Sequence, residues 1–96
     1  MFLLDNDIAR CREMAQRFPW YHALNEVRQA AIIDLLFNLG LVRFRKFVRF
    51  IASMNDQNWL SAGQELAASA WWLQVGRRGP RIRSMIETGE WPSENP

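Results

Sequence analysis

Apolar positions recur at helical spacing along the whole chain, and no stretch alternates in the manner of a strand. Leu4, Ile8, Cys11 and Ala15 fall at i, i+4, i+7 and i+11 with charges between them, which predicts a first helix over Phe2–Arg17. No capping residue precedes it. Phe18-Pro19 ends it, since proline lacks the N–H that would continue the ladder and restricts the residue before it. Asn25 is a suitable N-cap for a second helix over Glu26–Leu39, with Glu26 in the first turn complementing the dipole. From Ala30 onward that helix is apolar on nearly every side, so it is expected to be the buried central helix, with Gly40 closing it.

The stretch "RFRKFVRFIASM" predicts a third helix with Phe44, Phe47, Val48 and Ile51 on one stripe and Arg45, Lys46 and Arg49 off it. Asn55-Asp56 breaks the chain and is expected to cap a fourth helix from Gln57 to about Ala70, where Trp59, Gly63, Leu66 and Ala70 share a face. "WWLQVG" reads as a short helical turn. Pro80 suits position N1 of a last helix running to about Glu87, with Gly89 closing it. The expected architecture is all-α: five to six helices clustered orthogonally around Ala30–Leu39, one domain over residues 1–92, then a polar tail at 93–96.

Composition narrows the chemistry. A chain of 96 residues holds one small domain at most, and 49% apolar residues is a globular proportion. With one cysteine, Cys11, and one histidine, His22, neither a disulfide nor a His/Cys metal site is available, and no metal or cofactor is expected. "MFLL" is followed at once by Asp5 and Asp7, so it lacks the form of a secretory signal, and Ala30–Leu39 is too short to span a bilayer. A soluble protein, cytoplasmic on synthesis, is expected.

The charge is modest at +2, yet eleven of the twelve cations are arginine. In "RFRKFVRF", aromatic and basic residues alternate. Basic amphipathic helices bind membranes or nucleic acid, but a core-facing helix with a solvated face has the same pattern, and that plainer account is preferred. "GRRGPRIR" is more pointed. Its glycines permit close backbone approach, and its arginines stand at a helix start, against the dipole, where an anionic ligand or a carboxylate would relieve them. The low net charge and the lack of a recognition-helix pattern argue against nucleic acid as the partner. Asp34, among isoleucines and leucines, is expected to face solvent or a groove where the central helix breaks surface, and no pair of carboxylates stands out. Most of the five tryptophans are expected in the core, Trp59 and Trp91 included, with Trp72 the one expected to be partly exposed.

Taken in order, "FLLDNDIARC", "LNEVRQAAIIDLLFNLG", "FRKFVRFIASMNDQNWLSAGQEL", "SAWWLQVGRR" and "IETGEW" resemble the C-terminal lobe of the phage-type lysozymes, also called endolysins or muramidases. The resemblance covers Phe2 to Trp91. It implies a glycoside hydrolase family acting on bacterial peptidoglycan glycan strands, at the bond between N-acetylmuramic acid and N-acetylglucosamine, after release to the cell wall. It implies that Phe37 and Asn38 lie on the cleft floor, Trp71 and Gln74 on the wall behind, and Asp34 one turn earlier on the cleft side. Arg78 matches the family arginine that faces the catalytic glutamate, with Arg77 and Arg81 beside it. Pro80 departs from the polar residue more common there. The catalytic glutamate, aspartate and threonine of the family lie in a smaller N-terminal lobe that has no counterpart here, so no catalytic residue is expected in this chain and no activity alone. The chain is expected to start within the interlobe helix, as a truncated product or with the lobe supplied by another chain. The alternative is a non-catalytic assembly protein that self-associates through the exposed cleft.

Overall fold

The computed structural model describes residues 5–92, with side chains from Ile8 onward. Six helices follow one another: α1 Asp5–Gln16, α2 Glu26–Arg45, α3 Val48–Asn55, α4 Trp59–Ala67, α5 Ala70–Val75 and α6 Arg78–Thr88, with a short 3-10 turn, Pro19–Ala23, between α1 and α2. Among the described residues there is no strand, and the fold is an all-α globule of 35 × 31 × 25 Å. The expected start of the first helix at Phe2, and its Leu4, lie outside the described residues.

Helix α2 is the frame. Val27, Ala31, Ile32, Leu35, Leu36 and Leu39 form its buried side, packed against α1 and α6, while α4 packs on α6 and on α3. Asn25 caps it as expected, its side chain accepting from the Arg28 N–H at 2.9 Å. Gly40 interrupts the helix at φ 76° and ψ 162°, a conformation open in practice only to glycine. Helical geometry then resumes over residues 41–45.

That restart alters the stretch that follows. The single helix expected from "RFRKFVRFIASM" breaks at Lys46 and Phe47, and α3 starts in a new phase. Phe44 and Phe50 become the inward residues, fully buried, while Val48 is 69% exposed instead of sharing the stripe. The inward rings form an aromatic cluster: Phe44 meets Phe18 edge-on with centroids 5.3 Å apart, meets Phe50 at 6.1 Å and lies beside Trp20 at 6.5 Å. Aromatic pairs favour such offset and edge-to-face arrangements.

The other boundaries shift locally. Asn58, not Asn55-Asp56, caps α4, and Ser69 starts a separate α5, so Ala70 leaves the α4 face and is exposed. Helix α6 begins two residues before Pro80, which stands third in the first turn, where no intrahelical N–H is yet required. Gly89 closes α6 in the left-handed conformation, its N–H donating to the Met85 carbonyl at 2.9 Å. Trp91 is 56% exposed rather than packed, because the chain has already left the helix at Gly89. Trp59 is half-buried, with the Arg28 guanidinium 4.0 Å above its ring. Trp72 is likewise half-buried.

Candidate functional site

On α2 the residues Ala30, Ile33, Asp34 and Phe37 occupy i, i+3, i+4 and i+7, and this is the side the core covers only in part. With Ile8 and Cys11 of α1 and Arg78 of α6 they line a groove of about 240 Å³. A second, wider depression of about 560 Å³ is lined by Asp34, Asn38, Gln74, Val75, Arg77, Arg78 and Arg81. The two share Asp34 and Arg78, so they form one surface with an apolar half and a cationic half.

A short polar chain stands at the junction. The Asn38 amide donates to the Asp34 carboxylate at 2.8 Å and to the Asp34 backbone carbonyl at 2.7 Å. Its oxygen accepts from Arg78 Nη1 at 2.8 Å. The amide thus bridges a carboxylate and a guanidinium, and its orientation is set by them: the NH2 must face the acceptor and the oxygen the donor. Arg78 is exposed, held at one nitrogen by Asn38, and lines both the groove and the wider depression. Its place at the first position of α6 sets a cation against the positive helix end, with Arg77 as the N-cap residue and no acidic residue in the first turn.

The backbone explains how α6 can start there. Gly79 is buried, and a Cβ on it would lie 2.9 Å from the Trp72 ring. The close approach expected of "GRRGP" is therefore made, but at Gly79 it is made to a tryptophan of the same chain.

Seven of the eight residues singled out from the sequence line this surface: Asp34, Phe37, Asn38, Gln74, Arg77, Arg78 and Arg81. The eighth, Trp71, does not. It is 3% exposed and packed in the core, where its indole N–H has no hydrogen-bond partner among the described residues. Ile8, Ala30 and Ile33 were not singled out, although the 30-33-34-37 spacing was available to find the last two. Asp34 is the one carboxylate lining either half, and no cluster of potential metal ligands occurs among the described residues. The arrangement is suited to holding a partly polar ligand against an apolar floor, with Arg78 offered to an anion. It does not bring together the two carboxylates that glycoside hydrolysis ordinarily uses.

No protein-family profile matches the chain. Two proteins of Dictyostelium discoideum do: "Probable T4-type lysozyme 1" at 32% identity and "Probable T4-type lysozyme 2" at 30%, each over 69 residues, or 72% of this chain. The match spans 41% of the length of each of these curated relatives. Over that portion the chain is distantly similar to the T4-type lysozymes.

Proposed function

We infer that this chain is the glycan-binding lobe of a lysozyme-family protein and that its ligand is the peptidoglycan strand. The observation that carries the reading is the exposed Arg78 held by Asn38 at the junction of an apolar and a cationic groove, in a chain similar to T4-type lysozymes. Amino sugars carry apolar ring faces and hydrogen-bonding acetamido and hydroxyl groups. Phe37 supplies a partly exposed aromatic face for the first, and Asn38, Gln74 and Asp34 supply polar groups for the second. Arg78 is placed to receive a carboxylate, either the lactyl group of a muramic acid or a catalytic acid from another lobe.

Hydrolysis requires an acid and a second carboxylate or a positioned water, and the groove offers Asp34 alone. The chain of 96 residues is therefore expected to bind glycan without cleaving it. A cell-wall clearing assay tests this, with the pure chain and with the chain mixed with a separately expressed N-terminal lobe of a related lysozyme. Activity in the mixture alone is the expected result, with Arg78→Ala lowering it by tenfold or more, about the effect of losing one charge-assisted hydrogen bond. Clearing by the pure chain would overturn the division of labour.

A second reading rests on the apolar half of the groove, where Phe37 is 37% exposed beside Ile33 and Ile8. Such a surface suits self-association through a twofold interface. Sedimentation that stays monomeric across a wide concentration range would rule it out.

A further inference from the structure

We propose that the corner where α2 ends and α3 begins is a docking surface for an anionic lipid bilayer. The inference is independent of the glycan groove and of the function assigned to it. From Leu35 to Asn55 the chain has no acidic residue, and Arg43, Arg45, Lys46 and Arg49 all fall in that interval. All four side chains are exposed, and among the described residues none makes an ion pair or a side-chain hydrogen bond. The ion pair Arg83–Glu87 lies elsewhere, on α6. Half-buried Glu65 is the sole carboxylate bordering the adjacent hollow of about 340 Å³ that Lys46 and Arg49 line. The corner is thus net cationic, with Lys46, Val48 and Arg49 together at the hollow and Arg43 and Arg45 exposed just before them in the chain.

Two valines are set among these cations. Val42 is 72% exposed and Val48 69%, and the break at Lys46 and Phe47 is what turns Val48 outward while Phe44 and Phe50 turn in. Exposed β-branched residues flanked by arginines match what a headgroup region offers: phosphates for the guanidinium groups and an acyl boundary a few ångströms deeper for the valines. A nucleic-acid strand fits less well. Its bases need aromatic faces to stack on, and here Phe44 and Phe50 are buried and Phe47 half-buried. No described helix is long and apolar enough to cross a membrane, so the contact is peripheral.

Co-sedimentation of the full chain with vesicles tests the proposal. Vesicles of mixed phosphatidylglycerol and phosphatidylcholine should bind it, and pure phosphatidylcholine should not. Arg45→Glu with Lys46→Glu is expected to weaken binding by at least roughly tenfold, since each cation near an anionic surface is worth about fivefold. Val42→Ser with Val48→Ser should weaken it several-fold without any change of charge. Arg10→Glu with Arg17→Glu makes the same charge change at exposed positions elsewhere and should matter far less. Circular dichroism on each variant establishes that it is folded. Equal losses from the two charge pairs would overturn the proposal, leaving only a nonspecific charge effect. So would an unaltered valine variant whose binding is displaced by inorganic polyphosphate, which would mark a polyanion site, or no binding to anionic vesicles at all.

Discussion

Arg28 shows how much one residue can join. From the first turn of α2 its Nε donates to the Ile86 carbonyl at 2.7 Å and its Nη2 to the Glu87 carbonyl at 3.3 Å, while the guanidinium lies over Trp59. It satisfies carbonyls that the end of α6 would leave open and sets a cation at the negative end of that helix. Burial pulls its pKa down, but no lower charge state is reached, since arginine stays protonated throughout the working range. Asn25 completes the join by donating to the Gly89 carbonyl at 2.9 Å. Arg28→Ala is expected to cost about 2–4 kcal/mol, from two charge-assisted hydrogen bonds and a cation–π contact, read as a lowered midpoint in urea unfolding with an unchanged slope. Arg28→Lys should recover only part of this, because an ammonium cannot present the same fork. The capping role of Asn25 was legible in the sequence because it is local. Its bond to Gly89 and those of Arg28 were not, since contacts between residues some sixty positions apart leave no periodic trace.

At the level of elements, five to six helices were legible from apolar spacing and punctuation, and the break between Gly40 and Met54 was not. The phenylalanines at positions 44, 47 and 50 fit an unbroken helix as well as a broken one. The break wins because burying both Phe44, against Phe18 and Trp20, and Phe50, against Phe44, requires a change of phase between them. Gly40 permits the first turn of the chain in that region. Nothing lies within 4 Å of where its Cβ would be, so the cost of Gly40→Ala is purely conformational. About 1–3 kcal/mol is expected from forcing an L-residue into that region of φ and ψ. Gly79→Ala is the informative contrast: its backbone is helical, and its cost should come from displacing Trp72. Thermal unfolding of both variants, with tryptophan fluorescence as a second probe, should show a shifted Trp72 environment in the Gly79 variant alone. A native-like spectrum and midpoint for Gly79→Ala would contradict the packing argument.

For the molecule as a whole, the groove is built from three parts of the chain that meet only in the fold: Ile8 and Cys11 from α1, the 30–38 side of α2, and residues 74–81 at the junction of α5 and α6. Periodicity alone could identify the α2 side but not its neighbours. The arginines of "GRRGPRIR" stood out by their place at a helix start, while the resemblance to lysozymes supplied Gln74 and also Trp71, whose ring the fold buries instead. Alignment carries a residue's position along the chain, whereas exposure depends on how α5 rolls against α6, which no local pattern records. The same roll brings Gly79 onto Trp72 and so fixes where Arg78 emerges. We propose that this surface, and no other, holds the glycan. The direct test is a titration of the nitrogen-15-labelled chain with a soluble peptidoglycan fragment, followed by amide NMR. Saturable shifts concentrated at Asp34–Asn38 and Gln74–Arg81 are expected, as is their loss in the Arg78→Ala variant. Shifts centred on another face, or no shifts at all, would contradict it.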